Sequence, residues 1–389
     1  AKTLPEDLKN RKVKPQNGFS EQPLLIWSIS INYPIDLMAH QRDLAQASRR
    51  NSCHPLKSCF MINPSNDKQI SSLSDEELDF FKQQGYLIKK QVLSAQTCNT
   101  LCDQLWQTAP EHLDRDDPQT WNPIPKAQWS SDPLLSLNDT KWQFRAAGTK
   151  AEQLAVMKHP QLVHWAEQML GKGQVREPIE NGKPMGSWGT AWPEGPVDPQ
   201  MTEGVRGIYA TLPQQTDTIL EDHLHTDGHP FSLGVVCLLD DCPANSGAFK
   251  VWPGSHRRFY PLFPTQYDQA RIPFYPHMPL HKGIVHPKEY LEEVAKVEED
   301  TTPVDCCGEQ GDIVFWHHRL GHMAGYNNTS MPSIRQALLF DYCHKDLDKL
   351  RLSAPHLDMW NDWSAELQQT EPAVSSATGQ QQPLTDRQS

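Results

Sequence analysis

The sequence predicts a β-rich α+β fold: a double-stranded β-helix (jelly-roll, cupin-like) core with flanking N-terminal helices. Three observations predict it. Helical patterning is confined to the stretch between Leu73 and Gly171; from Gly207 the apolar period shortens to that of strands; and the short runs that follow are separated by Pro, Gly, Asn and Asp clusters. Those runs (GIYATL, FSLGVVCLL, GAFKVW, DIVFWH, RQALLFDY) are rich in β-branched and aromatic residues. Many short strands with turn punctuation read as a sandwich or jelly roll.

The helical part begins at Ser74, which with Glu77 three residues on forms a capping box ahead of Leu78 and Phe81, and Gly85 supplies the stop. Tyr86 to Val92 reads as a short strand. Ser94 then caps a second helix whose face carries Cys98, Leu101, Leu105 and Trp106. A third helix is expected from about His159 to Leu170, closed by Gly171.

Around this domain, set at residues 71–362, the chain is less patterned. Residues 1–70 form an extension of unassigned role whose LLIWSISI island alternates from Leu25 to Ile31 like an edge strand. Two long Pro-rich polar connections, near 175–205 and 257–308, are of the length that usually serves a function, and either can cover a substrate pocket. The segment 363–389, containing SSATGQQQP, has too little apolar surface to offset its ordering entropy and is expected to be a disordered tail.

Composition excludes several classes of function. A net charge of -12 without a long Lys/Arg run disfavours nucleic acid. The apolar run Leu233 to Leu239 is far too short to span a bilayer, and no signal segment opens the sequence, so a soluble, cytoplasmic protein acting on a small molecule is expected. Nine cysteines, scattered and without a CxxC knuckle, are read as reduced thiols.

The chemistry lies in His and Asp. Two imidazoles and one carboxylate on one face of an ion suit non-haem Fe(II), leaving positions open for other ligands. The chain holds four HxD pairs, His112/Asp114, His225/Asp227, His344/Asp346 and His356/Asp358, where about two are expected by chance from 17 His and 48 acidic residues. Context singles out His225 and Asp227: they precede the strand FSLGVVCLL and lie about 95 residues before LGHMAGYN, which supplies a distal His and then an Arg. The other pairs read as solvated turn residues. The third ligand is His317, His318 or His322. His322 is preferred because Arg335 follows 13 residues later on the next strand, where its planar fork can meet a carboxylate in bidentate fashion.

Taken together, LSDEELDFFKQQGYLI, HPQLVHWAEQMLG, HTD, SGAFKVWPGSH, GDIVFWHHRLGHMAGYN and the following Arg335 resemble the phytanoyl-CoA dioxygenase family of Fe(II)/2-oxoglutarate oxygenases over about residues 73–343. The resemblance implies iron ligands His225, Asp227 and His322, and a cosubstrate anchor at Arg335. It also implies Ala324 at a position beside the cosubstrate, with Tyr209 and Thr211 as further contacts. The implied reaction consumes 2-oxoglutarate and O2 and oxidises a C–H bond, by hydroxylation first, with desaturation or oxidative ring closure as variants. Halogenation is not expected, since Asp227 retains the carboxylate. A substrate carboxylate has Arg257, Arg258 and Arg271 as partners, competing with a role as solvated loop charges. Trp252 and Trp316 are either pocket walls or core. The alternatives are a jelly-roll metalloprotein using another divalent ion for hydrolysis or isomerisation, and a non-catalytic binding member.

Overall fold

The structure is a computed structural model, and it describes residues 70–132, 134–145, 150–177, 205–215, 221–227, 231–266, 288–329, 332–350 and 353–369. Of its two compact units, residues 1–67 and 68–389, the first lies outside the described residues, and with it the alternating run Leu25 to Ile31.

The capping box forms as its residue types require. Ser74 accepts from the Glu77 amide while the Glu77 side chain accepts from the Ser74 amide, and helix α1 (Asp75–Gln84) ends where Gly85 adopts the left-handed conformation at φ 80°. Strand β1 (Tyr86–Lys89) follows. Ser94 caps helix α2 (Ala95–Trp106), whose buried face is Cys98, Leu101, Cys102 and Leu105. Strands β2 (Ser130–Ser131), β3 (Leu135–Asn138) and β4 (Lys141–Phe144) form next, in a stretch where the sequence reading placed no element. Helices α3 (Ala151–Met157) and α4 (Pro160–Leu170) complete the N-terminal part.

The core strands are β5 (Val205–Thr211), β6 (Leu233–Leu238), β7 (Phe249–Val251), β8 (Val304–Cys306), β9 (Ile313–His317), β10 (His322–Ala324) and β11 (Arg335–Tyr342). They divide into an eight-stranded antiparallel sheet in the order β1-β9-β6-β11-β5-β4-β3-β2 and a three-stranded sheet β10-β7-β8. Because successive side chains alternate across a strand, the large sheet has two apolar faces. One, with Leu233, Val235, Cys237, Ile313, Phe315, Leu338 and Phe340, packs under the helices. The other, with Val236, Leu238, Val314, Trp316, Ala337 and Leu339, meets Phe249, Val251 and Cys306 of the small sheet. This is the expected jelly-roll arrangement, with the two sheets packed face to face.

Two regions depart from the linear reading. The connection 257–308 is largely ordered where described: helix α5 (Ser255–Phe259) runs into it and helix α6 (Lys288–Asp300) closes it. The segment expected to be a tail begins with helix α7 (Ala365–Gln369), in which Leu367 is fully buried beside the buried Trp363. Its few apolar residues are spaced to fill the groove left by Phe81 and Trp360, so tertiary packing overrides a composition that favours disorder. Residues 370–389, most of 175–205, and Arg271 lie outside the described residues.

Candidate metal centre and cosubstrate pocket

His225 and His322 come together through main-chain pairing: the His225 amide donates to the His322 carbonyl at 3.0 Å and the His322 amide donates back at 2.9 Å. Their rings lie 4.7 Å apart. Asp227 completes the group, its Oδ1 standing 3.8 Å from His225 Nε2 and 3.5 Å from His322 Nε2. Among the described residues these three offer ligand atoms that all fall within 4.8 Å of one another. Two donors bound to one ion at about 2.1 Å stand about 3–4 Å apart, so this donor set fits a divalent ion with small side-chain adjustments.

The surrounding bonds favour that use. His322 Nδ1 lies 2.8 Å from the Leu320 carbonyl and so carries the proton, leaving the Nε2 lone pair facing Asp227. His225 is the solvent-facing member at 55% side-chain exposure, yet its pKa is lowered, first by desolvation and then by His322, which favours the neutral form a ligand needs. Asp227 Oδ2 accepts from Arg206 Nη1 at 2.6 Å. The rest of the Arg206 fork donates to Asp341, Nε at 2.8 Å and Nη2 at 2.6 Å. Burial opposes the charge on Arg206, but Asp227 and Asp341 outweigh it and raise its pKa. One Asp227 oxygen thus accepts from Arg206 while the other faces the two imidazoles.

His317 and His318 do not share this site. Residue parity on β9 places Trp316 toward the small sheet, 5.8 Å from the His322 ring, and turns His317 to the opposite face, stacked on Trp363 at 5.1 Å. Among the described residues the other HxD pairs do not form such a group, although His344 is buried and bridged to Val175 rather than a solvated turn residue as expected. His112 bonds the Asn122 carbonyl, the Asp346 amide donates to His344 Nδ1, and the Asp358 side chain accepts from the Trp360 amide.

Arg335 stands opposite Thr211 in the β11–β5 register and is 95% buried. Nη2 donates to Thr211 Oγ1 at 2.8 Å and Nε to the Gly247 carbonyl at 3.0 Å. Gly247 has φ 84°, and a Cβ there would lie 2.9 Å from the Thr211 methyl, so glycine is needed for that carbonyl to reach the guanidinium. No carboxylate pairs with Arg335 among the described residues, and desolvation lowers its pKa. A buried guanidinium without a counter-ion is costly, and this one calls for an anion. Lys141, which the sequence reading passed over, lies across Thr211 in the β4–β5 register; its pKa is lowered by desolvation and then by Arg335. Two cations therefore share one row of the sheet.

Of the other expected contacts, Thr211 supports Arg335 directly, while the Tyr209 hydroxyl accepts from Arg145 Nε at 3.0 Å. Ala324 pairs with Phe249 on the small sheet, one residue before Gly325, whose amide donates to the Ala248 carbonyl. Both arginines lie in helix α5 rather than in a loop: Arg258 is bound to Glu293 and Asp300, each at 2.6 Å, and Arg257 is exposed. Trp252 and Trp316 are fully buried packing residues. Arg206 was missed because nothing local marks its partners: Asp227 and Asp341 are 21 and 135 residues away.

No curated protein sequence matches the chain. Solved structures similar to it include the non-heme alpha ketoglutarate dependent carbocyclase SnoK from nogalamycin biosynthesis, at 18% identity and TM-score 0.39 over 69% of this chain and 84% of that one. EctD from S. alaskensis with 2-oxoglutarate and 5-hydroxyectoine matches at 16% identity and TM-score 0.40, over 71% of this chain and 77% of that one. The epimerase SnoN in complex with Fe3+, alpha ketoglutarate and nogalamycin RO matches at 15% identity and TM-score 0.39, over 75% and 97%. The phytanoyl-CoA dioxygenase (PhyH) family matches residues 81–337, about two thirds of the sequence, and the chain belongs to that family of 2-oxoglutarate-dependent non-haem iron enzymes.

Proposed function

We propose that this protein oxidises an unactivated C–H bond of a small-molecule metabolite, with hydroxylation as the outcome. In the balanced reaction, substrate, 2-oxoglutarate and O2 give hydroxylated product, succinate and carbon dioxide. Iron and 2-oxoglutarate, when bound, supply the oxidising chemistry. The residues supply position and exclusion of water. His225, Asp227 and His322 hold the metal. Arg206 holds Asp227 turned so that one oxygen faces the two imidazoles. Arg335, fixed by Thr211 and Gly247, takes the distal carboxylate of the cosubstrate, and Lys141 adds a second positive charge on the same row. Trp316, Phe249 and Val236 form an apolar floor that keeps bulk water away from the reacting atoms.

The observation that carries the reading is Arg335: a buried cation with no carboxylate partner among the described residues, in the sheet that also carries Asp227's partner Arg206. A hydrolytic or isomerising metalloprotein gives that charge no task. The test is succinate formation. Purified protein reconstituted with Fe(II) and given 2-oxoglutarate and O2 should release succinate, faster with the true substrate; no succinate across a broad metabolite panel would sink the proposal. Among the described residues no helix is long and apolar enough to cross a membrane.

A further inference from the structure

We infer that helix α6, which closes the long connection 257–308, is a backing element that positions the metal ligands, with Tyr290 as its principal positioning residue. The inference rests on the reading of His225, Asp227 and His322 as ligands. His225 is carried on an extended segment outside the named strands, and such a segment holds its direction only if its amides are fixed. Helix α6 fixes the amides on both sides of it. The Thr226 amide donates to the Tyr290 hydroxyl oxygen at 3.1 Å, and the Thr226 hydroxyl lies 3.0 Å from the same oxygen. The Leu224 amide donates to Glu298 Oε1 at 2.9 Å. Thr226 sits between the two ligands of the HTD motif, so the Tyr290 contact sets the directions of both His225 and Asp227.

The same helix reaches the distal ligand through packing. Tyr290 and Val297 are buried in a small apolar cluster with Leu224, Trp252, Phe259, Phe263 and Met323. Leu224 precedes His225 and Met323 follows His322, so both ligand-bearing segments rest on one cluster. Within it the Tyr290 ring is held 5.1 Å from each of Phe259 and Phe263, which aims its hydroxyl. Arg258, paired with Glu293 and Asp300, ties α6 to helix α5 at the other end. Bonds of this outer kind orient ligands without touching the ion, and losing one typically weakens metal binding about ten- to a hundredfold.

The experiment is anaerobic calorimetric titration of the full chain with Fe(II), alongside the melting temperature of the metal-free protein. Tyr290→Phe keeps the ring and removes the hydroxyl, and should weaken Fe(II) binding by about tenfold or more. Thr226→Val removes only the hydroxyl contact and leaves the amide bond to Tyr290, so it should weaken Fe(II) binding by less, and the double variant should be no weaker than Tyr290→Phe alone, because both act through the Tyr290 hydroxyl. Leu367→Ala thins the main core, which shares no residue with this cluster; it should lower the melting temperature and leave the Fe(II) affinity at the parent value. Parental affinity in Tyr290→Phe, or equal weakening in Leu367→Ala, overturns the inference. Should Tyr290→Phe not fold, Glu298→Ala decides in its place: weaker Fe(II) binding supports the helix's role and unchanged binding overturns it. His225→Ala separates the underlying reading, since parental Fe(II) affinity there means the ligands are misassigned whatever Tyr290 does.

Discussion

Arg206 Nη1 donates to Asp227 Oδ2 at 2.6 Å while Asp227 Oδ1 faces His322 Nε2 at 3.5 Å, so a single carboxylate is divided between a guanidinium and an imidazole. Arg206, Asp227 and Asp341 are all at least 95% buried. Arg206→Met would strand two buried carboxylates, and breaking such a pair costs about 3–5 kcal/mol, enough to lower the urea midpoint sharply. Arg206→Lys keeps the charge but cannot span both acids. It should fold and bind Fe(II) about ten- to a hundredfold more weakly, as read by titration, and parental affinity would show that Asp227 needs no holding.

Ligands and decoys should separate cleanly. His225→Ala, Asp227→Ala and His322→Ala are each expected to abolish Fe(II)-dependent succinate formation. His112→Ala and His356→Ala remove turn residues and should leave it nearly intact. His317→Ala should retain iron and instead lower stability, because that ring stacks on Trp363 on the far face of the sheet. Iron content and melting temperature measured together check all three, and loss of iron in His317→Ala with retention in His322→Ala would refute the assignment.

Arg335→Lys keeps a cation but loses the fork that Thr211 and Gly247 hold. Charge-assisted bonds of this kind contribute about 1.5–3 kcal/mol, so the apparent 2-oxoglutarate requirement should rise roughly ten- to a hundredfold with iron content unchanged. Thr211→Val, which removes only the support, should shift it in the same direction by less. Titrating 2-oxoglutarate at fixed substrate gives both numbers, and an unchanged requirement in Arg335→Lys would make it a structural residue.

Leu367 and Trp363 belong to the main core. Leu367→Ala should destabilise the protein by about 2–5 kcal/mol, as for other fully buried leucines, and ending the chain before Trp363 should do at least as much. A thermal melt unmoved by Leu367→Ala would return this segment to the status of a tail.

What the sequence determined by itself is what local chemistry encodes. The caps at Ser74 and Ser94, the stop at Gly85 and the switch to period-two strands are decided by neighbours a few residues apart, and they appear where expected. His225 and Asp227 stand two apart, as do three other HxD pairs, and the strand that follows them singled this pair out. The tertiary structure alone decided the rest. Parity on β9 turned His317 away and β10 brought His322 in; the β4–β5–β11 register set Lys141 beside Arg335; and Arg206 found Asp341 across 135 residues. Helix α7 ordered a polar segment because a groove lined by Phe81 and Trp360 was already waiting for two apolar side chains. Each of these depends on which strands pair and which faces meet, a property of the closed sheets that no window of sequence contains.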